Sequence, residues 1–455
     1  MKSFIDEQGI LGIIHNTKFS PVSFREIINK AFSLKGLDIR EAAMLLSCTR
    51  DEYLSELFSA AGKIKELIYG RRLVFFAPLY ISNFCTNNCL YCGFRNKNKT
   101  LKRKLIDTDE IKQDVEFLIS EGHKRLLVVA GQDNNINADY LADIIKTIYS
   151  INKSKGEIRR VNINVAPLEY SGFKKIKKAG IGTYQIFQET YHGGTYKFMH
   201  PSGPKSDFDA RLYAIDVAQA AGIDDVGIGV LFGLYDYRFE TLALLKHCSY
   251  LDDKFGVGPH TISVPRIEPA SGSSISNNPP YKLSDIDFKK VIAVLRLAVP
   301  YAGLILSTRE KPALRNELFN LGISQISAGS RTNPGGYSSD TEGQFSLGDY
   351  RTLKEVVCDV TDRGFIASFC TACYRKGRTG GDFMELAKPG NIQEFCLSNA
   401  LLTFKEYILD YKAMPITDVE GFIRKQVATI KDCRIREATV SRLKKIGKGE
   451  RDIYF

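Results

Sequence analysis

No apolar run in this chain is long enough to span a bilayer. The longest, Leu73 to Ile81, is interrupted by Pro78, and a spanning helix needs about 20 apolar residues. The opening MKSFIDEQGI lacks the basic, apolar and small-residue order of a secretory signal. There is no low-complexity tract and no repeat beyond the strand–helix alternation described below. No stretch interleaves aromatics and Arg at helical spacing. The net charge of +11, from 63 Lys and Arg against 52 Asp and Glu, therefore reads as a solvated basic face and not as a nucleic-acid surface. Together these absences predict a cytoplasmic protein with neither membrane nor nucleic acid as partner. In a reducing compartment the ten cysteines are not expected in disulfides. What is present is ordinary globular material, 44% hydrophobic and 25% charged, which excludes a disordered or fibrous chain. The 455 residues allow about three domain-sized units, or two where one is a long barrel.

From Arg71 to Gly329, short β-branched and aromatic runs alternate with longer amphipathic stretches. Strands are predicted from Leu73, Arg125, Val161, Thr183, Val226, Thr261, Gly303 and Ile323. Helices are predicted between them at Asp109–Ser120, Ala138–Ile151, Glu169–Ala179, Phe208–Ala221, Phe239–Leu251, Asp285–Val299 and Pro312–Asn320. Uniformly apolar strands suit a parallel sheet buried on both faces. Eight such units in roughly 250 residues predict a TIM-type (β/α)8 barrel. A doubly wound open sheet is the rival, weakened because no Gly-x-Gly-x-x-Gly follows the first strand. The expected division is an N-terminal helical segment over 1–70, a barrel over 71–335 and a mainly helical C-terminal domain over 336–455. In the first segment, helices are expected at Phe24–Phe32, Ile39–Leu46 and Asp51–Tyr69.

Six of the ten cysteines fall into two tight groups. The first strand runs into Cys85-Thr-Asn-Asn-Cys89-Leu-Tyr-Cys92. Three thiolates at this spacing can hold three irons of a 4Fe–4S cluster and leave the fourth open to a small molecule. A structural zinc site needs a fourth Cys or His, and none follows before His123. The loop also sits where barrel active sites are built, after the first strand. The second group, Cys370-Thr-Ala-Cys373 with Cys396, is a weaker pattern, because Cys-x2-Cys also occurs in zinc ribbons and redox pairs. In a chain that already has a cluster loop it points to a second iron–sulfur cluster, again one ligand short. Cys48, Cys248, Cys358 and Cys433 read as small buried hydrophobes.

The first loop resembles the radical S-adenosylmethionine (SAM) superfamily. There the open iron binds SAM, whose reductive cleavage gives a 5′-deoxyadenosyl radical, and Tyr91 matches the aromatic that leans on the adenine. The segments CTNNCLYCGF, FQETYHGGTY, HPSGPKSDF, DDVGIGVLFGLYDYRFE, GPHTISVPRIEPA, LSTRE and ISAGSRTNPGGY are similar to the radical SAM lyases of tyrosine and tryptophan. SFCTACYRKGRTG with Cys396 resembles the tyrosine lyases that mature iron-only (FeFe) hydrogenases.

That resemblance implies cleavage of L-tyrosine at Cα–Cβ to p-cresol and dehydroglycine. It further implies conversion of the fragment to carbon monoxide and cyanide on iron, for assembly of the hydrogenase H-cluster. It implies two 4Fe–4S clusters, SAM, an additional iron carrying free cysteine, a reduced donor such as ferredoxin or flavodoxin, and other hydrogenase maturation proteins as partners. By position, Arg309 and Ser327 correspond to the holders of the tyrosine carboxylate. Gln132, Asn164, Glu189 and Arg211 correspond to SAM contacts, and His260 to the ligand of the additional iron. Two departures stand out: Gln132 replaces the usual acid, and Gly193-Gly194 replaces an Arg-Glu pair. The alternatives are a divergent lyase for another aromatic amino acid or another product, and a non-catalytic iron–sulfur scaffold.

Overall fold

The computed structural model describes residues 3–153, 156–338, 342–413 and 417–455. All eight expected strands form: β1 (Arg72–Ser82), β2 (Arg125–Ala130), β3 (Arg160–Asn164), β4 (Ile181–Glu189), β5 (Val226–Val230), β6 (Thr261–Ser263), β7 (Gly303–Leu306) and β8 (Gln325–Ser327). Each pairs in parallel with its sequence neighbour, and β8 returns to β1, with Phe75 opposite Ile326, so the sheet closes into a barrel. The near-continuous burial of β1 and β5 reflects a sheet covered on both faces, which is why these strands lack polar alternation.

The helices between strands start on capping residues that the sequence supplies. Asp107 and Glu110 form a capping box at Thr108–Glu121, and Ser284 caps Asp285–Ala298. The single helix expected over Phe208–Ala221 is two, Phe208–Leu212 and Ala214–Ala220, broken at Tyr213. Among the described residues four helices precede the barrel. Pro21–Ala31, Ile39–Leu46 and Asp51–Tyr69 match expectation, and Glu7–Asn16 is additional. Asp51–Tyr69 packs on Asp285–Ala298 and Pro312–Leu321.

The segment after 336 is mainly helical but contributes one strand. β9 (Ile366–Ser368) pairs in parallel with the start of β1, Arg72 opposite Ile366. The helix Gln393–Tyr411 packs against β9 and β1. This register brings the C-terminal segment to the N-terminal mouth of the barrel, opposite the face onto which the strand C-termini open. No helix among the described residues is long and apolar enough to cross a membrane.

Candidate active site

The strand C-termini surround an open cavity of about 1510 Å³ counted to its mouth. Cys85, Cys89 and Cys92 line it, together with Tyr91, Gln132, Asn164, Glu189, Arg211, Arg309 and Ser327, so the structure gathers every residue expected there into one space. The cysteine loop lies tight against the turn after β2. A Cβ on Gly131 would stand 2.2 Å from the Phe84 carbonyl oxygen, so only glycine fits. Burial pushes the Cys92 thiol up to about 12, with Cys89 and Cys85 adding to the effect. Thiols in that setting shed their protons to a bound cation. Among the described residues no three Cys, His, Asp or Glu converge on a single-ion site. A cubane seats each thiolate on a different iron, so three thiols facing a shared cavity fit it.

The SAM end of the cavity is organised around Glu189. It closes β4 at a register slip after Phe187 and takes a φ of 70°, rare for a residue with a side chain. Lys205 Nζ lies 2.6 Å and Arg211 Nη2 3.4 Å from Glu189 Oε1. Burial alone raises the Glu189 pKa, but Lys205 and Arg211 more than offset it and hold the group below its ordinary value. Tyr91 is fixed by its hydroxyl, which donates to His200 Nε2 at 2.9 Å; Nδ1 of the same ring donates to the Tyr196 carbonyl at 2.8 Å. The Gln132 amide oxygen accepts from Asn87 Nδ2 at 2.8 Å.

At the other end of the cavity, the Arg309 guanidinium lies over the Phe345 ring, 3.3 Å from its centroid, and donates to the Arg266 carbonyl at 3.3 Å. Ser327 Oγ accepts from the Thr308 N–H at 3.2 Å. Glu268 lines the same wall; burial raises its pKa and the Arg309 charge opposes the rise. Gly193 and Gly194 do not line the cavity. The Gly193 N–H donates instead to Glu7 Oε1 at 2.8 Å, from the additional N-terminal helix. The missing Arg-Glu pair therefore leaves the cavity's own charges, Glu189, Lys205 and Arg211, in place.

The second triad faces a separate cavity of about 540 Å³ at the opposite mouth. Cys370, Cys373 and Cys396 line it with His260, Arg72, Arg125, Arg160, Gly303 and Gln325. Arg72, Arg125, Arg160, Gly303 and Gln325 open their strands, and His260 precedes one. Burial pushes the His260 pKa down to about 4, against the opposing pull of Asp225, so the imidazole is neutral and able to ligate a metal. Its Nδ1 is buried without a hydrogen-bond partner among the described residues, 3.6 Å from Asp225 Oδ1. Arg72 Nη2 donates to Cys396 Sγ at 3.3 Å. Three thiols, Cys396 buried and Cys370 and Cys373 half-buried, beside an unsatisfied imidazole and guanidinium groups suit an anionic metal cluster. Sequence reasoning missed Lys205, Glu268 and the three arginines, which carry no motif of their own.

The signature of the Radical SAM superfamily matches residues 79–247, and that of the Biotin and Thiamin Synthesis associated domain matches 263–366. The 2-iminoacetate synthase of Salmonella typhimurium is 31% identical over 341 residues, which cover 74% of this chain and 88% of that protein. The FeFe hydrogenase maturase subunit HydE of Thermotoga maritima is 26% identical, covering 62% of this chain and 73% of its own. Among solved structures, HydG, a maturase of the FeFe hydrogenase, superposes with a TM-score of 0.96 at 51% identity over 99% of this chain and 100% of that one. HydG from Carboxydothermus hydrogenoformans gives 0.79 at 41% identity over 96% and 100%.

Proposed function

Because this chain belongs to the radical SAM family that holds the 2-iminoacetate synthases and the HydG maturases, we propose that it is a tyrosine lyase of FeFe hydrogenase maturation. In this reading it splits L-tyrosine at Cα–Cβ to p-cresol and dehydroglycine in the upper cavity. The fragment is converted at the lower one to carbon monoxide and cyanide for H-cluster assembly. The observation that carries the reading is one barrel with a thiol triad at each mouth, the upper triad sharing its cavity with Arg309, Ser327 and Glu268, the lower beside buried cations.

Cys85, Cys89 and Cys92 would hold the first 4Fe–4S cluster, which with SAM supplies a 5′-deoxyadenosyl radical. Cys370, Cys373 and Cys396 would hold the second, with His260 on an additional iron that carries free cysteine; that group supplies open metal positions for the diatomic products. The protein's own part is positioning. Arg309, held flat by Phe345 and by the Arg266 carbonyl, offers its remaining N–H groups to the tyrosine carboxylate, and Ser327 adds a hydroxyl. Glu268, on the same wall, faces the substrate ammonium. Tyr91, braced by His200, presents its ring to the adenine, and Glu189, Arg211, Gln132 and Asn164 hold the polar groups of SAM.

Between the cavities the barrel interior is polar. Gln185 lines the upper cavity and donates to Thr261 Oγ1 at 3.4 Å, next to His260. A Cβ on Gly227 would stand 2.5 Å from that oxygen and 2.7 Å from Gln185 Cγ, so glycine there lets the two side chains pack against the strand. A reduced ferredoxin or flavodoxin is the electron source in this reading, and other maturation proteins receive the product. The test is anaerobic reconstitution with SAM, dithionite and tyrosine. The reading requires p-cresol and then carbon monoxide; absence of both with the two clusters loaded removes it.

A further inference from the structure

The lower cavity holds more buried positive charge than its acids neutralise. Arg72, Arg125 and Arg160 are all buried along its wall, and Asp225 is the carboxylate that bonds one of them. Arg160 is charge-paired: its Nε donates to Asn162, and its Nη2 to the Gly182 carbonyl, to Thr183 and, at 2.8 Å, to Asp225. The other two are not. Arg72 gives Nη2 to Cys396 Sγ, and its Nε is buried without a partner among the described residues. Arg125 gives Nη2 to the Cys370 carbonyl at 2.8 Å and Nη1 to Gln325 at 3.3 Å, and its Nε is likewise unpartnered. A buried guanidinium with a free N–H carries a large desolvation cost unless an anion meets it.

The thiol triad does not remove the excess. An oxidised cubane on three thiolates carries a single net negative charge, and Arg72 already leans on that triad through Cys396. Arg125 bonds no thiol, and no carboxylate among the described residues pairs with it.

We propose that Arg125, assisted by Arg72, forms a carboxylate-binding subsite beside the second thiol triad, which holds a two-carbon α-imino or α-keto acid by its carboxylate. The subsite rests on the reading that this cavity carries the second cluster and receives the fragment of tyrosine. It adds the group that would seat that fragment: a planar fork fixed on one side by the Cys370 carbonyl and Gln325, with donors left on the other. The cavity volume, about a third of the upper one, suits a fragment of that size beside a cluster.

The test uses the anaerobically reconstituted protein in a Cys85→Ala background, so that the reduced electron paramagnetic resonance signal comes from the second cluster. Glyoxylate, the stable keto analogue of the imine, is titrated against its uncharged methyl ester. A saturable change in the signal with glyoxylate and none with the ester is expected. The midpoint should rise about ten-fold or more in Arg125→Gln, the effect of losing one charge-assisted hydrogen bond, and by less in Arg125→Lys. If Arg125→Gln does not load a cluster, the Lys variant carries the comparison. An unchanged midpoint, or no response to glyoxylate in a background that shows the cluster signal, overturns the subsite. A background with no cluster signal at all removes the reading beneath it as well.

Discussion

Arg309→Lys probes the substrate end of the upper cavity without removing its charge. The guanidinium is held as a plane, its carbon 3.3 Å from the Phe345 centroid and one N–H on the Arg266 carbonyl. Lysine keeps a cation at the wall but cannot lie flat on the ring or offer two parallel donors to a carboxylate. The loss is one charge-assisted hydrogen bond, part of which the ammonium recovers, together with a buried cation–π contact. That predicts about 1–3 kcal/mol of lost tyrosine binding, a rise in Kd of about five- to 150-fold. The assay is equilibrium dialysis of labelled tyrosine with the clusters loaded and SAM present, beside the same measurement for SAM. SAM affinity should stay within about two-fold, because its holders cluster at the Glu189 end. Unchanged tyrosine affinity would show that the carboxylate is held elsewhere. An equal fall for both ligands would show that Arg309 supports the cavity as a whole and does not read the substrate.

Replacing Cys85, Cys89 or Cys92 by Ala should abolish SAM cleavage, read as 5′-deoxyadenosine; product from any of the three removes that assignment. Gln132→Glu should tighten SAM binding by about 1 kcal/mol, the difference between a neutral and a charge-assisted hydrogen bond, and calorimetry showing no gain would mean that Asn87 keeps the side chain from the ligand. Cys370→Ala, Cys373→Ala or Cys396→Ala should retain p-cresol formation and lose carbon monoxide, since the two triads face opposite mouths, with His260→Ala a milder case; parallel loss of both products would refute the separation. Glu240 is fully buried, accepts from the Tyr191 N–H at 2.9 Å, and burial pushes its pKa from 4.5 up to about 8. The fold therefore keeps a proton that the unfolded chain releases, so stability falls as pH rises from 4.5 to about 8. Glu240→Gln should flatten that slope of melting temperature against pH, and an unaltered slope would place its origin elsewhere.

The barrel was legible because its strands are apolar runs of the length a doubly covered parallel sheet demands. What escaped was local. Tyr213 breaks a continuous helical pattern. Gly193–Met199 is helical although it opens on two glycines, with His192 capping it and Glu7 accepting from its first N–H. β9 is only three residues long and lies in a helical stretch, so no periodicity could mark it.

The site divides the same way. Thiols announce themselves by spacing, and Arg309 and Ser327 by the LSTRE and ISAGSRTNPGGY segments that carry the family resemblance. Arg72, Arg125 and Arg160 do not, because an Arg at the start of an apolar strand looks like a solubilising flank. They become a wall because β1, β2 and β3 pair in parallel as neighbours, with Arg125 directly opposite Arg160, and because β9 then brings Cys370 and Cys373 beneath them. The consequence is chemical. Without that cover the three cations would face water, where each costs little. With it they are buried, and the fold must supply anions: Asp225 for Arg160, and Cys396 for part of Arg72. The second triad and the strand-initial arginines are thus one electrostatic unit, drawn from both ends of the sequence, and neither half carries that meaning alone.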